Sequence, residues 1–230
     1  VTSPSAAASR AGLSSGDGRR PTVAHLLQTL SQHPTVEMRV DGQVLVGEFE
    51  PNRDEIRRRA MVGAGAVTST ALLHGLWLLP AGGIVRADDV PPVKQQRLMA
   101  APTYVELDRE GFRRTYEPAG AVHAVYFPAQ RIRPALERAV RFSPIFRRYV
   151  VVDRPPLGRT TTPLIDDCAR AGLGLVELHH DALELLVPPP APVRGVPAVY
   201  RWWIAELAYA GWLARAMPTR SAEASAPRGP

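Results

Sequence analysis

Apolar residues recur along this chain at two spacings, and each spacing predicts a different type of secondary structure. Alternation over residues 36–49 predicts a β-hairpin whose turn is Asp41-Gly42, because a tight hairpin needs residues that adopt positive φ. Short apolar runs predict further strands at residues 104–116 (a pair), 121–127, 149–152, 173–178 and 183–187. Helical spacing of apolar residues predicts helices at residues 22–30, 131–142, 163–171 and 199–216.

The order of these elements predicts the fold class. From residue 104 onward, three strands are followed by helix, strand, helix, strand, strand and helix. Strands separated by helices share a sheet through crossover connections, so we predict an α/β fold with a mixed β-sheet flanked by helices. A small N-terminal α+β module is expected before it. The predicted boundaries are residues 1–20 for a disordered leader, 21–87 for the helix-and-hairpin module, 88–215 for the α/β domain and 216–230 for a disordered tail.

Residues 60–85 carry no formal charge, and three interpretations compete for them. The segment is long enough to span a membrane, but it contains His74, several hydroxyls and Pro80. It follows Arg57-Arg58-Arg59 and precedes a small-residue cleavage pattern, so residues 57–87 also resemble a twin-arginine export signal. Because a hairpin precedes the segment and its hydropathy is low, we expect a buried Ala/Gly helix, no membrane span and a cytoplasmic location. Export remains the alternative.

Composition limits the function only weakly. The net charge is +6, but Lys94 is the only lysine among 28 basic residues, and the chain has 23 prolines. This skew is typical of a GC-rich coding sequence, so the number of arginines does not by itself indicate nucleic-acid binding. The single cysteine, Cys168, excludes an internal disulfide framework and a multi-cysteine zinc site.

Four segments of the second half resemble a known superfamily. They are 122–130 (VHAVYFPAQ), 133–139 (RPALERA), 148–155 (RYVVVDRP) and 169–178 (ARAGLGLVEL). In this order they are similar to the restriction-endonuclease-like (PD-(D/E)xK nuclease) superfamily over about residues 104–190. The resemblance implies a sheet on which two carboxylates hold Mg²⁺ while a lysine, in a Glu-x-Lys segment, assists the attacking water.

The residues of this chain depart from that catalytic pattern. The segment equivalent to Glu-x-Lys is Tyr126-Phe127-Pro128, which offers neither a carboxylate nor an amine, and no lysine follows Lys94. The resemblance therefore implies a degenerate member. Glu106, Asp108 and Glu117 are the candidate catalytic acids if an Mg²⁺-dependent nuclease survives. His179-His180-Asp181 is interpreted as a turn between two strands, and we expect no metal site and no cofactor otherwise.

Positive charge gathers just after the degenerate segment. Between residues 131 and 154 there are seven arginines and two acidic residues. Guanidinium groups bind phosphates through fixed forks, so the sequence predicts a nucleic-acid-binding surface formed by Arg131, Arg138, Arg141, Arg147 and Arg148. We therefore expect a non-catalytic nucleic-acid-binding protein. The alternatives are a divergent nuclease, a protein-interaction module and an exported protein, and the sequence does not predict an oligomeric state.

Overall fold

The structure, a computed structural model, describes residues 23–29, 31–129, 131–153, 161–179, 182–193, 195 and 198–216. The predicted leader lies outside these residues, and so does the predicted tail except for Ala216, which ends the last helix. The strands are β1 (Thr35–Val40), β2 (Gln43–Pro51), β3 (Ile84–Val85), β4 (Val105–Leu107), β5 (Phe112–Arg114), β6 (Gly120–Ala129), β7 (Arg147–Asp153), β8 (Gly174–His179) and β9 (Ala182–Val187). The helices are α1 (Val23–Leu27), α2 (Arg53–Met61), α3 (Thr70–Leu78), α4 (Pro92–Met99), α5 (Ile132–Arg141), α6 (Thr161–Arg170) and α7 (Ala198–Ala216).

Six strands form one mixed sheet in the order β1-β2-β6-β7-β8-β9. The pairs β6–β7 and β7–β8 are parallel, and the other pairs of neighbours are antiparallel. Each parallel pair needs a crossover, which α5 supplies between β6 and β7 and α6 supplies between β7 and β8. The predicted α/β class and mixed sheet flanked by helices are confirmed.

The two faces of this sheet are covered differently, because successive side chains of a strand point to opposite faces. On one face, helices α5, α6 and α7 pack over alternate residues of β6, β7 and β8, among them Val125, Phe127, Val150, Val152 and Leu175. On the other face, α1 packs over a smaller cluster that contains Val46, Ala124, Tyr126, Val151 and Val176. The first face therefore holds the main hydrophobic core.

A second unit is inserted between β2 and β6. It contains α2, α3, α4 and a three-stranded sheet in the order β3-β5-β4. Its core is formed by buried side chains of α3, α4 and the small sheet, including Leu73, Leu76, Leu98, Tyr104 and Phe112. Val199 and Trp202 of α7 pack against the same core, so α7 contacts both units.

The hairpin of β1 and β2 does not form a separate module with the segment that follows it. β2 pairs with β6 from Val46 and Tyr126 to Pro51 and Gly120, and Phe49 lies in the same core cluster as Phe127. The structure thus differs from the expected division at residue 87. The backbone groups along one edge of β2 are paired with a strand 69 to 80 residues further along the chain, and local periodicity does not indicate such a pairing.

Residues 60–85 do not form the single buried helix that the sequence predicted. α2 ends at Met61, Gly63 adopts positive φ, and α3 begins after Ser69, whose side chain accepts a hydrogen bond from the backbone N–H of Leu72. The segment is also only partly buried, because Leu73, Leu76 and Leu79 are inaccessible while Met61 and Trp77 are 74% and 47% exposed. Glycines and a capping serine thus interrupt the apolar run.

Arg59 and Glu206 form a buried ion pair that joins α2 to α7. Both side chains are 0% exposed, and two guanidinium nitrogens of Arg59 lie 2.7 and 2.8 Å from the carboxylate oxygens of Glu206. Glu206 also accepts hydrogen bonds from the hydroxyl of Tyr116 and from the backbone N–H groups of Val67 and Ala119. Burial would lower the pKa of Arg59, but its hydrogen bonds to Glu206 and Glu55 and the attraction of the Glu206 charge together raise that pKa, so Arg59 stays charged.

Arg58, the neighbour of Arg59 in the run that resembles a twin-arginine signal, is also bound within the fold. Its guanidinium group donates to both carboxylate oxygens of Glu55, at 2.7 and 2.8 Å, and to the backbone carbonyl of Thr103. None of the helices in the described part of the chain combines the length and the apolar character that crossing a membrane requires.

Candidate nucleic-acid interface

Helix α5 forms because its apolar residues recur on one side. Ala135 and Ala139 are fully buried against the main core, and Ile132 and Leu136 pack beside them. Small alanines at these positions let the helix approach the sheet closely. Val140 is 49% exposed, and Ala135 completes the apolar stripe instead.

Three of the predicted arginines lie along one flank of α5. Arg131 is the N-cap residue, Arg138 follows seven residues later, and Arg141 is the last residue of the helix. Residues three, four and seven apart share a side of a helix, and ten residues rise by about 15 Å. We call Arg131, Arg138 and Arg141 the α5 arginine stripe.

The three side chains of the stripe differ in their exposure to solvent. Arg131 and Arg141 are exposed, whereas Arg138 is half-buried. The Nε atom of Arg138 is buried and has no hydrogen-bond partner among the described residues. Arg138 therefore has a fixed stem, and an anion that reached its guanidinium group would find a donor group whose position is already restricted.

The acidic residue of α5 pairs with an arginine outside the stripe. Glu137 is the only acid of this helix, and its carboxylate lies 3.5 Å from Nε of Arg133, one turn earlier. Glu137 is also four residues before Arg141, so it lies beside that end of the stripe. The ion pair with Arg133 is exposed and contributes little stability, but it engages the single acid of this helix.

Arg148 does not belong to a binding surface, which corrects the sequence prediction. It is buried under the end of α5, and one of its terminal nitrogens donates to the carbonyls of Ala139, Val140 and Phe142 at 2.9–3.3 Å. The other terminal nitrogen donates to the carbonyl of Gly172, just after α6. Arg148 thus satisfies the carbonyl ends of two helices, where a cation is also favoured by the helix dipoles.

Arg147 is exposed, but it lies on the other face of the sheet from α5. Along β7, Val150 and Val152 face α5, so the odd-numbered residues Arg147, Tyr149 and Val151 face the α1 side. Adjacent arginines of a strand point apart, and the two were therefore wrongly grouped in one surface. Of the five predicted contact residues, the structure brings together the three of the α5 arginine stripe.

The three candidate catalytic acids occupy separate positions. Glu106 is exposed on β4, and Asp108 follows in the turn to β5, where its side chain accepts hydrogen bonds from the backbone N–H groups of Glu110 and Gly111. Glu117 lies before β6 and accepts a hydrogen bond from the side chain of Asn52 at 3.3 Å. Within the described residues these carboxylates do not form a cluster of three that could hold a metal ion.

The residues at the Glu-x-Lys position pack inside the protein. Tyr126 and Phe127 are buried in β6, and the ring of Tyr126 stacks on that of Tyr149 in β7 with centroids 4.8 Å apart. Burial raises the pKa of Tyr126 to about 12, so its hydroxyl stays protonated at neutral pH. This part of the sheet therefore presents stacked aromatic rings rather than ionised groups.

One cluster of potential ligands was missed by the sequence analysis. His33 precedes β1, Glu50 lies on β2 and His123 lies on β6, and one ligand atom from each lies within 4.8 Å of the other two. Nε2 of His123 is 2.8 Å from Oε2 of Glu50, and this hydrogen bond lowers the pKa of Glu50. The three residues have no recognisable sequence spacing, because the unpredicted pairing of β2 with β6 brings them together. His179, from the predicted turn, ends β8, and residues 180–181 lie outside the described residues.

Comparison with known proteins finds no match for this chain among protein-family models, curated proteins or solved structures. Its function is therefore inferred from its own side chains.

Proposed function

We propose that this protein binds the phosphate backbone of nucleic acid through the α5 arginine stripe, without cleaving it, on a degenerate restriction-endonuclease-like fold. The observation that carries the proposal is the arrangement of Arg131, Arg138 and Arg141 along one flank of a helix whose single acid, Glu137, pairs with Arg133. A guanidinium group binds phosphate oxygens through paired N–H donors. A row of arginines therefore suits the regularly spaced phosphates of a nucleic-acid backbone. The expected binding is independent of base sequence, since phosphate contacts carry little sequence information.

The exclusion of Arg148 and Arg147 from the predicted set makes the proposal more specific. Three arginines remain in place of five, so the expected interface is a short one in which bonds to phosphates supply most of the affinity. Sequence-independent binding of this kind has dissociation constants of about 1–100 µM at physiological salt. We therefore expect weak binding that is measurable at low salt.

Equilibrium binding to fluorescent duplex DNA tests the proposal. The double variant Arg138→Gln/Arg141→Gln should weaken binding by an order of magnitude or more at low salt, and equally for two duplexes of unrelated sequence. A matched control is Arg57→Gln/Arg86→Gln, which removes the same charge from two exposed arginines of other segments. Equal affinities of both double variants would contradict the proposal, and absence of wild-type binding at low salt would favour a protein partner.

The absence of cleavage is a separate expectation. We expect no Mg²⁺-dependent hydrolysis of DNA or RNA, because Tyr126 and Pro128 replace the carboxylate and the amine that the resemblance implies, and Glu106, Asp108 and Glu117 form no metal-holding cluster among the described residues. Incubation of labelled substrates with Mg²⁺ or Mn²⁺ measures this directly. Metal-dependent cleavage that is abolished by Asp108→Ala or Glu117→Ala would favour the divergent nuclease instead.

A further inference from the structure

The cluster of His33, Glu50 and His123 is held by three elements of the fold. Glu50 and His123 lie on neighbouring antiparallel strands, where Glu50 pairs with Ala121 and Phe49 pairs with Val122. The pairing of β2 with β6 fixes the distance between the Cα atoms of Glu50 and His123. The rings of His33 and His123 are nearly parallel, at an angle of 20° with centroids 4.7 Å apart.

The turn that carries His33 is docked on β2. The backbone N–H of Phe49 donates to the carbonyl of Pro34 at 2.8 Å, and the N–H of Gln32 donates to a carboxylate oxygen of Glu48 at 3.2 Å. The carbonyl of His33 itself accepts a hydrogen bond from the side chain of Gln28. His33 is thus placed beside the sheet by contacts on both of its sides in sequence, rather than by the cluster alone.

The donor set suits one group of ions. Two imidazole nitrogens and one carboxylate oxygen are ligands of zinc and its first-row neighbours, whereas Mg²⁺ and Ca²⁺ prefer oxygen ligands alone. Zinc–ligand bonds of about 2.0–2.2 Å place tetrahedral ligand atoms about 3.3 Å apart. The present separations, from 2.8 Å between His123 and Glu50 up to 4.8 Å, bracket that value. Side-chain rotation at this exposed or half-buried site is enough to adjust them.

We propose that His33, Glu50 and His123 bind one divalent first-row transition-metal ion, of which zinc is the representative. Coordination through Nε2 of His123 uses the neutral ring with its proton on Nδ1, and the ion takes the position between Nε2 and the Glu50 carboxylate. Three protein ligands leave the remaining coordination positions to solvent. The bound ion joins the turn before β1 to β2 and β6. This site is independent of the α5 arginine stripe and of the Mg²⁺ chemistry that the resemblance implied.

Zinc titration by calorimetry into the untagged, chelator-stripped full chain tests this site. Wild type should bind zinc with a component of one ion per chain, and His33→Gln, Glu50→Gln and His123→Gln should each weaken that component by at least about tenfold. The matched control is His74→Gln, which removes an exposed histidine of α3 and should bind as wild type does. Because the three ligand residues are exposed or half-buried, the variants are expected to fold, and far-UV circular dichroism checks that they do.

A second measurement remains informative if a variant folds poorly. Zinc at 100 times its dissociation constant should raise the melting temperature of wild type by about 5–10 °C, whereas the same concentration of Mg²⁺ should leave it unchanged. Wild-type zinc affinity in the His33→Gln and His123→Gln variants would overturn the proposal. So would zinc binding that is lost only on replacing His179 and His180, or a wild type that binds no zinc.

Discussion

Arginine has two distinct uses in this protein, and they are told apart residue by residue. Arg59 and Arg148 are buried, and their guanidinium groups are engaged by Glu206 and by helix-end carbonyls. Arg131 and Arg141 are exposed on α5. The first kind stabilises the fold, and only the second kind is open to a ligand. A count of positive charges in the sequence cannot separate them, since both kinds occur in the same arginine-rich segments.

The buried ion pair gives a prediction about stability. Arg59→Leu leaves the Glu206 carboxylate buried beside Tyr116 without its cation, so we expect the free energy of unfolding to fall by about 3–5 kcal/mol. Urea unfolding followed by circular dichroism measures the change. Arg57→Leu, two residues away on the same helix but exposed, should change stability by less than about 0.5 kcal/mol. A decrease below about 1 kcal/mol for Arg59→Leu would show that the pair is dispensable.

Cys168 gives a prediction about reactivity and pH. Its side chain is fully buried on α6, and burial together with the charge of Asp167 raises the pKa of the thiol to about 11. In the native protein it should therefore react with a disulfide reagent far more slowly than in urea. The folded state keeps the proton that the unfolded state releases near pH 8.5, so this thiol makes stability decline as pH rises from about 8.5 to about 11.

Two observations would contradict this account of Cys168. Native labelling at the rate of the unfolded protein would show that the thiol is accessible. A Cys168→Ala variant whose unfolding free energy falls as steeply as that of wild type above pH 8.5 would show that other groups cause the decline.

At the scale of elements, α7 is positioned by its close approach to the edge strand β1. A Cβ atom built on Gly211 would lie 1.8 Å from the backbone carbonyl oxygen of Glu37. One turn later, Arg215 donates a hydrogen bond to the carbonyl of Thr35 on the same strand. The helix thus covers the edge of β1, which would otherwise present unpaired backbone groups. The close approach is possible at Gly211 because this residue has no side chain.

Gly211→Ala tests this helix-to-strand packing. Within an exposed helix the replacement would stabilise by up to about 1 kcal/mol. Here we expect the opposite sign, a destabilisation of about 1–3 kcal/mol, because the helix and the strand must move apart. Gly65→Ala is the control, since a Cβ atom there meets nothing within 4 Å and the residue lacks positive φ. A melting temperature of Gly211→Ala equal to or above that of wild type would contradict the close approach.

The elements could be predicted from sequence where local physics determines them. Asp41 and Gly42 adopt the expected positive φ in the hairpin turn, and Gly172 ends α6 with φ of 64°. Periodicity located α5, α6 and α7 to within a few residues. The pairing of β2 with β6 was not predictable, because it joins segments separated by the whole inserted unit. The His33–Glu50–His123 cluster depends on that pairing and was missed for the same reason.

The candidate interface was predicted only in part. The excess of arginine over residues 131–154 predicted one shared surface, and α5 carries Arg131, Arg138 and Arg141 on one flank. The prediction was wrong for Arg147 and Arg148 because adjacent side chains of a strand point to opposite faces. The strand β7 also begins two residues before the apolar run that predicted it. A strand boundary that includes polar residues gives no apolar signal, so the burial of Arg148 could not be read from the sequence.

At the scale of the whole molecule, two cores share one helix. α7 packs against the main core through Ile204 and Ala208 and against the core of the inserted unit through Val199. Glu206 on the same helix holds Arg59 of α2, so the inserted unit is fastened to the six-stranded sheet by apolar packing and by an ion pair. The fold is thereby organised around α7, while the α5 arginine stripe lies on a helix without a part in this junction.

The salt dependence of DNA binding tests the central claim most directly, which is that the α5 arginine stripe binds phosphates. Each phosphate that an arginine neutralises releases counterions from duplex DNA, so log affinity decreases as log salt rises. The magnitude of this slope should decrease by about 0.9 for each arginine removed from the stripe. We predict that Arg138→Gln/Arg141→Gln reduces the slope by about 1.8 relative to wild type, whereas Arg57→Gln/Arg86→Gln leaves it unchanged. Identical slopes for wild type and both double variants would contradict the claim.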